Sequence, residues 1–331
     1  MTDQLQGMQD LHIKEFARKV ICDGHLYLMV GEKKYFMMKP GIMVEPAFIR
    51  KHGPLNTNFK FQSVVSLEIE DKFKLLFKEL RYLQFEKDVR LKSFEIVNYF
   101  HKTFSEQNHF LNFAICCFEE FLQIPKEEII KMHETDMHLF RKSLYSSAFA
   151  VIIAMMNDFY HYNILKDFYN ITFGLDIGLC DLDYSYYVAS ACNEENNLPG
   201  SGLDYLKKEH ATKEEVKVFL NHPQKSHELI GRLDILSYPD LLEIILYQHE
   251  LSSGKGFPRG IHKEQISTWE AIVILADSLV KISDEYYFED QVLKYFLNFE
   301  SNKLADIPVA RVYKKACKSL QYFDQLKETG T

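Results

Sequence analysis

Residues 247–260 read YQHELSSGKGFPRG. A histidine and a glutamate, His249 and Glu250, close an apolar stretch, and a loop carrying Gly254, Gly256 and Pro258 follows directly. Glycine supplies backbone freedom and proline fixes φ, so the chain specifies a sharp turn beside an imidazole. Only 14 glycines occur in 331 residues, so their placement here raises the question of what shares the histidine's task. A helix end followed by an ordinary turn is the plain alternative.

Three other polar residues sit in apolar surroundings. Asp176 lies in ITFGLDIGL, Asp277 follows AIVIL, and His222 precedes Pro223 in FLNHP. A buried carboxylate without a partner is costly, so each aspartate needs a cation, a cluster of donors or a raised pKa. Taken singly, each reads as structural: a hydrogen bond to a cap or a neighbouring lysine, or a histidine at a helix end.

The bulk properties are those of a soluble protein, with 47% apolar and 26% charged residues. The formal net charge of −8 argues against a broad nucleic-acid surface, and no DNA partner is expected. Six scattered cysteines lack zinc or disulfide spacing and read as buried thiols of a reducing compartment. The polar start MTDQLQGMQD is not a signal peptide, and the longest apolar run, 148–156, is about half a membrane span. The expected location is the cytoplasm, with no membrane partner.

Mixed character marks the first part of the chain. LYLMV (26–30) and KYFMM (34–38), separated by Gly31-Glu32-Lys33, predict a hairpin, and 64–69 a further strand. Helical spacing begins at 71–85 and continues through 89–104 and 110–122, with Pro125 at the first turn of another helix. Beyond that, segments near 138–158, 163–173, 185–193, 212–220, 225–236, 239–250, 266–282, 287–297 and 308–327 all predict helix. The fold class is therefore mainly α, with a smaller mixed α/β N-terminal domain at 1–125 and an all-α domain at 126–331.

As a set, the four polar spots acquire a shared meaning. Asp176, then His222-Pro223, then His249-Glu250 with GKGFPRG, then Ala276-Asp277 resembles the HD-GYP family in order and spacing. That family is the branch of the HD phosphohydrolases associated with cyclic di-GMP. The resemblance covers roughly residues 140–300 and is strongest from His222 to Asp277. It implies an HD-type helical bundle whose interior holds metal ions, commonly iron, and a metal-activated water that attacks a phosphodiester. By matching position Asp176 is the bridging aspartate and catalytic metal ligand, with His222, His249 and Asp277 as further ligands. Gly254, Gly256, Phe257 and Pro258 form the signature loop.

Departures from the family pattern are as informative. The HD histidine is Leu175, the following lysine is Leu179, and the first of the paired histidines is Gln248. The histidine expected on the preceding helix falls near 143–145, where none stands. His133 and His138 lie upstream and read as surface histidines, although a register shift could bring His138 in. The signature tyrosine is Phe257, which loses a hydroxyl, and the arginine-rich segment of many members aligns with DEYYFED (284–290).

Three metals do not fit this set. One divalent ion, or two sharing Asp176, fits if Gln248, Tyr145, water or His138 completes the shell; iron or manganese is expected, with zinc possible. Lys255 and Arg259 are the nearest basic residues for phosphate, or else solvated loop charges. Two functions follow from the resemblance. One is a metal-dependent cyclic di-GMP phosphodiesterase, slow for want of the phosphate-binding elements. The other is a degenerate module that receives cyclic di-GMP or a related nucleotide, or docks a signalling protein through the loop around Phe257.

Overall fold

A computed structural model describes residues 8–53, 59–104, 109–180, 212–250, 254, 256–262, 265–280 and 307–329. Four short strands, β1 (Gln9–Leu11), β2 (Gly24–Val30), β3 (Lys33–Met38) and β4 (Phe59–Ser63), form an antiparallel sheet in the order β1-β4-β2-β3. The expected hairpin is β2–β3, with Val30 opposite Lys33 and Gly31 in the left-handed region at φ 61°. Two short helices, α1 (Ile13–Phe16) and α2 (Pro46–His52), contribute to a small core with Phe16, Leu26, Met38, Phe59 and Phe61.

The strand expected at 64–69 is displaced to 59–63, and helix α3 (Leu67–Tyr82) starts where it should end. The reason is tertiary. The Asn112 side chain accepts from the Ser66 amide at 3.2 Å and donates to the Ser66 carbonyl at 2.9 Å, fixing the helix start against the local β-branched preference.

Helices α4 (Glu86–Phe104), α5 (His109–Phe121), α6 (Lys126–Thr135), α7 (Met137–Met156) and α8 (Tyr162–Phe173) follow. A short 3₁₀ turn at Ile177–Leu179 leads out of α8. Next described are α9 (Lys213–Leu233), a 3₁₀ helix at Pro239–Tyr247, α10 (Thr268–Ser278) and α11 (Ile307–Thr329). The stretches expected separately at 212–220 and 225–236 are one helix with Pro223 inside it. The segment expected as helix over 239–250 winds as 3₁₀ and stops at Tyr247. Helices expected at 185–193 and 287–297 lie outside the described residues.

At the centre stands α7. It is long and apolar enough to cross a membrane by length and composition, but its side chains are buried in the bundle. It packs against α4, α5, α6, α8, α10 and α11. Asp136 caps its start, its carboxylate accepting from the amides of His138 and Leu139. A single apolar core takes in Ile21 and Met43 and then runs from Phe73 on α3 to Leu320 on α11, so the packing continues across residue 125 without a break. The smaller core of the sheet is confined to residues 13–61. His133, expected at the surface, is buried on α6 with its Nδ1 2.7 Å from Glu45, tying the bundle to the sheet region.

A candidate metal centre in the bundle

Five side chains from five segments meet beside α7. Lys142 comes from α7 itself, Asp176 from the residue before the 3₁₀ turn, and His222 from the middle of α9. His249 follows the second 3₁₀ helix, and Asp277 stands in the last turn of α10. The side chains of Lys142, Asp176 and His222 are at most 2% exposed, and that of Asp277 keeps 14%.

Two local features aim these groups. Pro223 has no N–H, so the Phe219 carbonyl four residues earlier has no helical partner from it. That carbonyl is bonded instead by Nδ1 of His222. A carbonyl only accepts, so Nδ1 carries the proton and the Nε2 of a neutral ring faces inward as a bare lone pair. The second feature is Gly178. A Cβ there would lie 2.6 Å from the His222 carbonyl oxygen and 2.8 Å from the Ser226 nitrogen, so only glycine lets the 3₁₀ turn seat against α9. The Gly178 amide donates to Ser226 Oγ at 2.9 Å, which secures that contact.

The result is a tight donor set. His222 Nε2 lies 3.3 Å from Asp176 Oδ1 and 3.1 Å from His249 Nε2. One atom from each of these residues falls within 4.8 Å of the others, so the three could hold a metal ion. On the other side, Lys142 Nζ is 2.7 Å from Asp176 Oδ2 and 2.8 Å from Asp277 Oδ1. Burial alone would raise the Asp176 pKa, but the Lys142 ammonium beside it outweighs burial and holds the carboxyl well below its ordinary range. Burial, then the neighbouring His222, pushes His249 well below the usual imidazole value, so His249 is neutral. Asp277 shifts upward, chiefly through burial, against the pull of Lys142.

These residues fit a divalent cation on chemical grounds. A single proton shared between the two Nε2 atoms would leave Asp176 Oδ1 buried with no hydrogen bond from the described residues, as it stands here. One cation facing a carboxylate oxygen and two imidazole nitrogens satisfies all three lone pairs together, and that mixture suits iron, manganese or zinc.

The loop after His249 closes over it. Glu250 is fully buried, and its carboxylate accepts from the amides of Arg259, Gly260 and Ile261 at 2.6, 3.1 and 3.0 Å. The Phe257 amide donates to the His249 carbonyl at 3.1 Å, and its ring stacks on the imidazole with centroids 4.6 Å apart. Phe257 is therefore buried, and among the described residues of the loop Pro258 and Arg259 are exposed. Gly254 adopts a positive φ as the turn requires, and Gly260 at the end of the loop does the same.

The remaining expected residues take other places. Gln248 Nε2 donates to the Leu175 carbonyl at 3.1 Å, while its buried Oε1 has no hydrogen-bond donor among the described residues. Tyr145 turns its hydroxyl toward Gly41 near the sheet and stacks on Phe110, so it does not complete the shell. His138 sits half-buried on the first turn of α7, outside the Asp–His–His group. Arg259 donates to the Tyr247 hydroxyl at 2.8 Å and pairs with Glu243, so its guanidinium is already engaged. Lys255 and the acidic stretch 284–290 lie outside the described residues. Lys142 was not anticipated. It stands one residue before the stretch where a histidine was sought, and beside Arg141 it gave no sequence signal of its own.

No curated protein matches the chain. Among solved structures the chain is similar to Bd1817, described as a HDG"Y"P protein from Bdellovibrio bacteriovorus, at 12% identity over 95% of this chain and 99% of that one, with a TM-score of 0.38. Residues 197–295 match the family model described as HD domain, a span that contains His222, His249 and Asp277. The chain therefore carries an HD domain over residues 197–295.

Proposed function

We propose that this protein is a metal-dependent phosphodiesterase of HD-GYP type, acting on cyclic di-GMP or a related nucleotide. The observation that carries the reading is the buried convergence of Asp176 Oδ1, His222 Nε2 and His249 Nε2 within an HD-domain chain. These three residues would hold a divalent ion, iron or manganese by preference and zinc as the next choice. Such an ion supplies Lewis acidity and lowers the pKa of coordinated water. The chain's own residues supply the frame. The Phe219 carbonyl orients His222, the Phe257 ring covers His249 and keeps bulk water off it, and Lys142 holds Asp176 ionised.

A second reading has its own support. Leu175 and Leu179 stand where the family resemblance expects a metal histidine and a phosphate lysine, and Phe257 brings no hydroxyl. A module that receives the nucleotide, or docks a partner through the exposed Pro258 and Arg259, would retain the same centre without turnover. Hydrolysis of cyclic di-GMP by full-length protein loaded with iron or manganese separates the two. Linear product, lost in Asp176→Asn, supports the phosphodiesterase. Metal bound without product at high protein concentration leaves the receptor.

A further inference from the structure

We infer that the Lys142 ammonium stands in for a second metal ion, so that the centre holds one divalent cation on Asp176, His222 and His249. Asp277 is then the lysine's partner and not a ligand. This rests on the metal-dependent reading proposed above and limits it to a single ion.

The geometry divides Asp176 between two cations. Its Oδ1 faces His222 Nε2 at 3.3 Å, and its Oδ2 receives Lys142 Nζ at 2.7 Å. A carboxylate that bridges two metals offers one oxygen to each, and here one of the two is already taken by an ammonium. Asp277 Oδ1 lies 2.8 Å from the same nitrogen as an ion pair, although it lacks the geometry of a hydrogen bond. The lysine side chain is only 1% exposed and rises from the central helix, so it has no solvent to retreat into. A second divalent ion would have to sit against a desolvated like charge or expel it into the core.

Charge balance points the same way. Counted formally, the two carboxylates and the ammonium carry a single net negative charge, which one divalent ion reverses to a single positive. A second ion would leave three positive charges in a buried pocket, without the further carboxylates needed to offset them.

The test counts ions and does not depend on turnover. Full-length protein is loaded with Mn²⁺, desalted, and examined by elemental analysis and electron paramagnetic resonance. Wild type is expected to hold one manganese per chain with an uncoupled six-line spectrum. Lys142→Ala, which opens space between the two aspartates, is expected to hold two with an exchange-coupled spectrum. Asp277→Asn measures the same point without opening the core; it should still bind one ion, with affinity reduced less than about tenfold, the low end of effects from residues that touch no metal. Two manganese ions in wild type, one in a folded Lys142→Ala, or a loss well beyond a hundredfold in Asp277→Asn would each overturn the inference. No manganese in wild type would overturn the metal-dependent reading itself, a separate failure.

Discussion

The imidazole of His222 is bonded through Nδ1 to the backbone carbonyl of Phe219, the carbonyl that Pro223 cannot use. One residue thus creates the acceptor that aims its neighbour. Pro223→Ala restores an N–H that competes for Phe219, and it removes a proline that costs about 3 kcal/mol in a helix interior. The variant should therefore be more stable in urea by about 1 kcal/mol or more, while its manganese affinity falls about tenfold through loss of imidazole orientation. Stability and affinity moving in opposite directions is the signature. A variant that loses both would mean that Pro223 serves packing alone.

Gly178 sits where two backbones nearly touch. An added methyl would meet the His222 carbonyl at 2.6 Å and the Ser226 amide at 2.8 Å, and neither is a flexible side chain that can swing away. Gly178→Ala should destabilise by about 1–3 kcal/mol, the usual range for overpacking. Because the turn that must move carries Asp176, metal affinity should fall as well. Gly231→Ala is the control, since its methyl would meet only the tip of Leu242 at 3.0 Å. Equal losses in both variants would show a general helix effect and not a specific approach.

Glu250 explains how a loop of glycines and proline is held in one shape. Its carboxylate collects three consecutive amides, those of Arg259, Gly260 and Ile261, in a site closed to water. Hydrogen bonds to a charged group contribute about 1.5–3 kcal/mol each, so Glu250→Ala should cost at least about 3 kcal/mol. The local readout is hydrogen exchange. Amides 259–261 should lose protection in Glu250→Gln before those of α8 do, and uniform loss across the chain would mean global unfolding.

The helical bundle was legible because apolar residues recur at helical spacing from α3 onward, and the glycine-containing loop beside His249 marked the site. Asp176, His222, His249 and Asp277 were legible as a set through the resemblance to the HD-GYP family, because taken singly each read as structural. What escaped was set by contacts far apart in the chain. The start of α3 depends on Asn112, 46 residues away, and no local pattern reports that. Pro223 read as a break because proline favours helix ends, yet the imidazole beside it supplies the missing donor and the helix continues. Lys142 was invisible for a related reason: a lysine in an apolar helix is expected to reach for solvent, and its two aspartates lie 34 and 135 residues further on.

A bound ion should be readable as stability. An ion that binds only the folded chain stabilises it by about 4 kcal/mol at a free concentration one thousand times its dissociation constant. Mn²⁺ should therefore raise the thermal midpoint of the wild type by several degrees, and a chelator should reverse the rise. In Asp176→Asn the Oδ1 position no longer carries a shared negative charge, and Lys142 keeps only Asp277, so the apo protein should be weakened and the manganese shift abolished. His249→Gln should leave the Lys142–Asp176–Asp277 group intact, and so lose the shift with a smaller loss of apo stability, because no carboxylate is left facing an unbalanced ammonium. A shift of undiminished size in both variants would place the ion elsewhere in the molecule and remove the Asp176–His222–His249 group as its site.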